Sequence, residues 1–133
     1  MDYKLELVVV PVTDVTASRD FYAGRAGFAV DVDIREPLRL VQLTPPGSAC
    51  SITLLEQPDR AGTLQGVHLV VTDAEAARAD LAGRGVDVTG PYHYAGGGQT
   101  DGASPGRGDY ETFLSFTDPD GNGWLVQEVG HTG

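Results

Sequence analysis

The sequence predicts an α+β protein made of two copies of one β-α-β-β-β module. The first observation is an internal repeat, in which ten residues recur 59 positions later. The second is that each copy opens with a β-branched run, an Asp and a short helical pattern ended by Gly. The third is a hairpin signal near the C-terminus, where a turn with Pro and Gly separates two apolar runs. The repeated pairs are Leu5/Leu64, Val8/Val67, Val12/Val71, Thr13/Thr72, Asp14/Asp73, Ala17/Ala76, Arg19/Arg78, Ala23/Ala82, Gly24/Gly83 and Arg25/Arg84.

A repeat of this length indicates a duplicated supersecondary module, because solenoid units are shorter. The chain has 133 residues, which is enough for one domain, so the copies are expected to be modules of a single fold. Module one is predicted at 1–60 and module two at 61–133, joined through Gln57–Gly62. Two such modules can cover each other's apolar faces, and a cleft between them is the expected place for a ligand.

In module one, residues 4–12 are rich in Val and predict a strand. Asp14 or Thr16 is expected to cap a helix that ends at Gly24 and Gly27. Three further strands are predicted at Phe28–Ile34, Leu38–Leu43 and Ala49–Glu56.

Module two repeats this order and adds an irregular segment. Strand Leu64–Val71 precedes Asp73, which is expected to cap the alanine-rich helix Ala74–Ala82. A short strand is predicted at Val86–Val88. Pro91–Tyr110 lacks periodicity, which predicts a functional loop or lid over the cleft, or a loose surface loop. Strands Thr112–Thr117 and Gly123–Val129 close the module as a hairpin.

The composition restricts the possible partners and compartment. The net charge of -10 argues against nucleic acid and anionic membranes as partners, and would attract a cationic ligand. The single cysteine, Cys50, precludes an intrachain disulfide and predicts a cytoplasmic protein. The N-terminus lacks the pattern of a signal peptide, and the longest apolar run, Leu7–Val10, is too short to span a bilayer.

The segment FTDPDGNGWLVQE at 116–128 identifies a family resemblance. With the strand-Asp-helix-Gly opening of each half, it resembles the vicinal oxygen chelate superfamily of glyoxalase I, extradiol dioxygenases and bleomycin-resistance proteins. The resemblance implies a U-shaped half-barrel of curled mixed sheets with the helices outside, and a homodimer. Within the turn, Pro119 fixes φ, while Gly121 and Asn122 are expected to accept positive φ.

The resemblance also implies where a metal ion would bind. Metal-dependent relatives place one ligand in the first strand and one in the last strand of each module. Three of the four matching positions carry hydrocarbon or no side chain, and the fourth carries only a hydroxyl, so no metal or other cofactor is expected. The positions are Leu7, Thr53, Gly66 and Leu125. The alternative left open is a displaced site that uses His68, His93 or Glu56.

Strand alternation predicts which side chains face the cleft. His68 stands where the repeat has Val9, so the scaffold does not require a histidine there, and Gly66 beside it leaves room. His68 is therefore a candidate general acid or base, although core histidines are also common. Tyr92 and His93 complete the catalytic candidates. The predicted substrate-binding residues are Leu7, Val9, Gln42, Thr53, Gly66, Tyr94, Tyr110, Leu125 and Gln127. Trp124 and Val126 are expected in the core, and Glu128 outside the cleft.

Three functions fit these features. The favoured one is a metal-independent enzyme that uses His68, with Gln127 or a loop tyrosine, for proton transfer on a small organic substrate. Isomerisation, cyclisation, elimination and cofactor-free oxygen chemistry all remain open. The alternative is a bleomycin-resistance-type protein that sequesters a cationic drug or metabolite, although the aromatic content is only 8%. A metal-dependent lyase or dioxygenase is the least favoured.

Overall fold

Two open, mixed β-sheets, each packed against a helix on one face, make up the fold of residues 1–132, which the computed structural model describes. This architecture confirms the predicted α+β class. The chain divides into two compact units. Unit 1 holds Met1–Leu64 together with Asp118–Asn122, and unit 2 holds Gln65–Thr117 and the chain from Gly123 onward.

Unit 1 contains a four-stranded sheet in the order β1-β4-β3-β2. Strand β1 runs parallel to β4, and the other pairs are antiparallel. Helix α1 continues into a π-helical segment, and the buried residue Ala26 follows that segment. The elements are β1 at Leu7–Val12, α1 at Val15–Asp20, the π-helical segment at Phe21–Arg25, β2 at Ala29–Ile34, β3 at Leu40–Thr44 and β4 at Ser51–Glu56.

The helix-facing side of this sheet forms the core of unit 1. Residues of β1, β3 and β4 on this side have no exposed surface. Helix α1 packs over β3 and β4. Burial of these aliphatic side chains supplies the main driving force for folding. The fully buried residues are Val10, Val12, Val41, Leu43 and Leu54. The opposite face carries Val9, which is 40% exposed.

Unit 2 contains a five-stranded sheet in the order β5-β9-β8-β6-β7. Strands β5 and β9 are parallel, and the remaining pairs are antiparallel. Trp124 and Val126 are buried, as predicted, and Trp124 stacks on Phe116 with centroids 5.9 Å apart. The elements are β5 at Val67–Val71, α2 at Ala74–Gly83, β6 at Thr89–Ala95, β7 at Gly98–Asp101, β8 at Phe113–Thr117 and β9 at Gly123–Glu128.

The segment between α2 and β8 differs from the prediction. Val86–Val88 is not a strand, because Val86 is buried at the helix end and its N–H bonds to the carbonyl of Leu81. Half of the predicted loop Pro91–Tyr110 is instead the β6–β7 hairpin. Gly96 and Gly97, which suggested a loop, form its two-residue turn at φ 60° and 83°.

Both helices begin as predicted. Asp14 accepts a hydrogen bond from the N–H of Ala17 at 3.1 Å. Asp73 accepts hydrogen bonds from the N–H groups of Glu75 and Ala76 at 3.0 and 3.1 Å. The N–H groups of the first helical turn have no acceptor within the helix. Each carboxylate accepts hydrogen bonds from one or two of them.

The DPDGN turn belongs to unit 1 and is fixed there by buried hydrogen bonds. Gly121 has φ 94°, as expected, but Asn122 is not among the residues with positive φ. Instead, its Nδ2 donates to the carbonyl of Pro11 at 2.9 Å, and its Oδ1 accepts from the N–H of Leu64 at 3.1 Å. Asn122 therefore anchors the turn through its side chain.

No helix within residues 1–132 is long and apolar enough to cross a membrane.

Candidate functional site

The open face of the unit 2 sheet collects most of the predicted site residues of module two. Residues paired across a ladder share a face, so the register defines two rows of side chains. One row comprises His68, Leu125, Ser115 and Thr89, and the next comprises Val70, Gln127, Phe113 and Tyr92. Tyr94 lies two residues beyond Tyr92 and therefore faces the same side.

Three aromatic rings form a continuous cluster on this face. The ring centroids of Tyr92 and Phe113 are 5.9 Å apart, those of Tyr94 and Phe113 are 5.8 Å apart, and those of Tyr92 and Tyr94 are 6.0 Å apart. Such tilted and edge-to-face pairs are favourable arrangements of aromatic side chains. Tyr92 is buried, whereas Tyr94 is 63% exposed and Val70 is 62% exposed. The cluster thus has a buried base and an accessible aromatic edge.

Tyr92 is held as a neutral phenol at the base of the cluster. Its burial raises the pKa of the hydroxyl above 10.0, although a hydrogen bond with Ser115 acts in the opposite direction. A phenol in this state can donate or accept a hydrogen bond but does not act as a base near neutral pH.

A small cavity of about 220 Å³ adjoins the cluster. Three of its residues, His93, Tyr94 and Tyr110, were predicted as site residues, and the structure brings them together. Ser104, Glu111 and Phe113 complete the lining and were not predicted. The hydroxyl of Ser104 donates to Oε2 of Glu111. The cavity therefore combines aromatic surface with a carboxylate.

The two candidate catalytic histidines have similar surroundings. The Nδ1 atom of His68 lies 2.6 Å from the carbonyl oxygen of Gly66, and that of His93 lies 2.7 Å from the carbonyl oxygen of Gly102. A carbonyl oxygen only accepts, so Nδ1 carries the proton in both rings. In the neutral form the lone pair is therefore on Nε2, the atom that could accept a proton from a ligand.

The segment from Gly102 to Thr112 is fastened to the opposite side of the sheet. Arg107 donates from Nε and Nη2 to the two carboxylate oxygens of Glu128 at 2.9 and 2.6 Å. Glu128 is fully buried and also accepts the N–H of Ala74 at 2.8 Å. The guanidinium of Arg107 lowers the pKa of the Glu128 carboxyl. Glu128 thus lies on the face away from His68 and Tyr92, and it organises the segment that carries Tyr110.

The site residues of module one lie on the open face of the unit 1 sheet. The register pairs Val9 with Thr53, and Thr53 with Gln42. The Oγ1 atom of Thr53 is buried without a hydrogen-bond partner among the residues that the structure describes. Leu7 is paired with Ser51, one step away. A cavity of about 430 Å³ adjoins this face and is lined by Val9, Pro11, Leu55, Gln57, Arg60, Thr63 and Leu64.

Comparison with known proteins decides the family. The Glyoxalase/Bleomycin resistance protein/Dioxygenase superfamily matches residues 4–126. The chain belongs to this superfamily. Among solved structures, TnmS3, described as an antibiotic binding protein from Streptomyces sp. CB03234, is 30% identical with a TM-score of 0.76, covering 96% of this chain and 97% of that one.

Two further members of the glyoxalase and bleomycin-resistance group are similar. A glyoxalase/bleomycin resistance protein from Streptomyces sp. CB03234 is 30% identical with a TM-score of 0.73, covering 94% of this chain and all of that one. A superfamily member from Sphaerobacter thermophilus is 25% identical with a TM-score of 0.71, covering 96% and 98% of the two chains. No curated protein matches the chain.

The metal site of the superfamily does not fit these residues. The positions that the resemblance assigns to ligands are Leu7, Thr53, Gly66 and Leu125, which offer one hydroxyl oxygen and no imidazole or carboxylate. Within residues 1–132, one group of three potential ligands lies within 4.8 Å, namely Asp73, Glu128 and His131. That group excludes His68, His93 and Glu56, and both oxygens of Glu128 are already bound by Arg107.

Proposed function

We propose that this superfamily member binds a small-molecule antibiotic and sequesters it without chemical change. The observation that carries the proposal is the aromatic cluster of Tyr92, Tyr94 and Phe113, which leaves an accessible ring edge on the open face of unit 2. Contiguous exposed apolar surface on a soluble protein often marks a binding site. Rigid aromatic side chains provide much of the contact energy in such sites.

Similarity to TnmS3 supports this assignment. That protein is described as antibiotic binding, and the two chains align over nearly their whole lengths at 30% identity. Sequestration requires affinity and no reacting groups. The substituted metal-ligand positions agree with such a role.

Polar groups around the cluster would orient a bound molecule. Gln127 lies opposite Phe113 in the sheet, and its amide both donates and accepts hydrogen bonds. The unit 1 sheet carries the other predicted ligand contacts, which remain predictions: Leu7, Val9, Gln42 and Thr53.

The test is retention followed by chemical analysis of the retained molecule. The purified protein is incubated with a panel of neutral and cationic antibiotics, separated from unbound material and examined by native mass spectrometry. We expect a saturable complex from which the antibiotic is recovered unchanged. Tyr94→Ala should weaken the complex by about tenfold, since it removes an exposed aromatic contact.

Tyr3→Ala is the matched control, because Tyr3 is 89% exposed and lies outside both sheets. It should leave affinity within about twofold, the change expected for a surface substitution of under ~0.5 kcal/mol. Failure of the wild-type protein to retain any antibiotic, or equal losses in the two tyrosine variants, would contradict the proposal.

A second candidate is a metal-independent enzyme in which His68 is the general base. The observation that favours it is the hydrogen bond between Nδ1 of His68 and the carbonyl of Gly66, which directs the basic lone pair to Nε2 on an exposed side chain. A base so oriented could remove a proton from a ligand on the open face.

The same incubation separates the two functions. A product whose mass or retention time differs from that of the added compound favours catalysis, and its rate should then fall by at least about a hundredfold in His68→Ala. Recovery of unchanged antibiotic from both proteins favours sequestration.

A further inference from the structure

The small cavity beside the aromatic cluster has the composition of a site for an organic cation. Its lining includes the rings of Tyr94, Tyr110 and Phe113 and the carboxylate of Glu111. His93 and Ser104 complete it. The face of an aromatic ring is electron-rich and attracts an ammonium group, and the carboxylate adds a full negative charge. We infer that this cavity binds the ammonium group of an organic cation. The inference specifies the ligand of the proposed binding function and rests on it.

The size of the cavity indicates that it holds one substituent of a larger ligand. Pockets that enclose a drug-sized molecule usually measure roughly 300–1,000 Å³. This cavity measures about 220 Å³, which suits a compact head group such as an alkylated amine. The rest of the molecule would then lie against the accessible part of the aromatic cluster at Tyr94 and Phe113.

The backbone at Tyr110 supports a built site. Tyr110 has φ 62°, a left-handed conformation that is unfavourable for a residue with a Cβ. It is held there by a hydrogen bond from its N–H to the carbonyl of Glu128 at 2.9 Å. Strained residues of this kind are concentrated at functional sites, where surrounding contacts maintain them. Here the constraint keeps a ring that is 63% exposed at the cavity wall.

The charges nearby leave Glu111 available to a cation. Arg107 precedes it by four residues, but its guanidinium is bound to Glu128 and, at 2.7 Å, to Glu75. Glu111 accepts a hydrogen bond from the neutral hydroxyl of Ser104. A Cβ on Gly108 would overlap the Glu111 carboxylate, so glycine at that position allows the observed placement. The net charge of -10 adds long-range attraction for a cation.

The test compares choline with 3,3-dimethyl-1-butanol, which has the same shape but carries carbon in place of the charged nitrogen. Both are titrated into the whole protein at about pH 8, above the range in which histidine ordinarily titrates, and at constant ionic strength. The aromatic NMR signals of Tyr94, Tyr110 and Phe113 report binding. We expect saturable shifts with choline and at least about tenfold weaker binding of the alcohol.

Two variants distinguish the effect of the Glu111 carboxylate on choline binding from the attraction exerted by the net negative charge of the protein. Glu111→Gln should lower choline affinity by about tenfold and leave the binding of the alcohol unchanged. Asp87→Asn removes the same charge from an exposed residue of unit 2 that does not line this cavity, so choline affinity should stay within about twofold. Equal affinities for the two probes, or equal losses in the two variants, would overturn the inference.

The antibiotic panel distinguishes failure of the ammonium site from failure of the proposed antibiotic-binding function. If Glu111→Gln loses the cationic antibiotics and keeps the neutral ones, the inference is supported. If Glu111→Gln retains the cationic antibiotics as well as the wild-type protein does, the ammonium site is wrong while sequestration stands. If no antibiotic is retained by the wild-type protein, the binding function fails, and the inference fails with it.

Discussion

Arg107 and Glu128 form a two-point ion pair, in which one guanidinium donates to both oxygens of a fully buried carboxylate at 2.9 and 2.6 Å. The pair joins the segment before β8 to the end of β9, 21 residues apart. Because the backbone of Glu128 also accepts the N–H of Tyr110, the same contact sets the position of the cavity wall. Stability and ligand affinity are therefore expected to change together when the pair is broken.

Glu128→Ala should lower the free energy of unfolding by about 3 kcal/mol, because it removes the acceptor of a buried ion pair and of the Ala74 N–H. Urea denaturation measures the change. Glu75→Gln is the matched control, since Glu75 contacts the same arginine but its side chain is 62% exposed. It should cost less than about 1 kcal/mol. Equal effects of the two substitutions would show that burial of Glu128 is unimportant.

Acid should weaken the native state through the same carboxyl. The hydrogen bond from Arg107 is the main cause that lowers the pKa of Glu128 below 4.5, with the N–H of Ala74 adding to it and burial opposing it. The unfolded chain therefore takes up the proton first as the pH falls. The stabilisation is complete above pH 4.5 and is lost as the pH falls through the lower native pKa.

Glu128→Gln should consequently flatten the dependence of stability on pH below 4.5. Urea denaturation between about pH 3 and pH 7 measures this for both proteins. Some dependence should remain, because a hydrogen bond from Arg39 also lowers the pKa of Asp33. Parallel curves for wild type and variant would rule out Glu128 as a contributor.

Asn122→Ala should destabilise unit 1 by about 2 kcal/mol, because it leaves the carbonyl of Pro11 and the N–H of Leu64 without their partner. Asn122 is fully buried, so water cannot readily replace the lost contacts. Asp120→Ala, in the same turn, removes a contact to the exposed Thr13 and should cost less than about 1 kcal/mol. Thermal unfolding of the two variants provides the comparison.

Substitution of alanine for Gly90 and for Gly108 should change the free energy of unfolding by different amounts. Gly90 has φ 113°, and a Cβ there would meet the backbone carbonyl of Phe113 at 2.8 Å, so Gly90→Ala should cost at least about 2 kcal/mol. A Cβ at Gly108 would meet only the end of the Glu111 side chain, which can move. Gly108→Ala should therefore change stability by less than about 1 kcal/mol and weaken choline binding. Thermal unfolding and the choline titration check both statements.

The repeated part of the fold could be predicted because its signals are local. Val-rich runs predicted β1 and β5, and an Asp that pairs the first amides of a helix marked each helix start. Alternation along β9 placed Trp124 and Val126 in the core. These features depend on residues within a few positions of one another. They can therefore be recognised in a single sequence.

The segment from β6 to the start of β8 could not be predicted in the same way. Its glycines and lack of periodicity predict a loop, whereas Tyr92 and Tyr94 lie on β6, and aromatic residues of this kind favour a strand. The contact between Arg107 and Glu128 depends on the positions of two distant segments, and no spacing rule connects them. Glu111 gave no signal because an exposed acidic residue is common in a chain with this charge.

Val9 and His68 offer a last test, because they hold the same register position in the two sheets, opposite Thr53 and Leu125 respectively. His68→Val restores the repeat at an exposed position and should change the free energy of unfolding by less than about 0.5 kcal/mol. If the protein sequesters its ligand, antibiotic affinity should stay within about threefold and the recovered compound should remain unchanged. Val9→His, the reciprocal variant, controls for an added imidazole. A reaction that the wild type performs and His68→Val does not would assign catalysis to His68 and contradict sequestration.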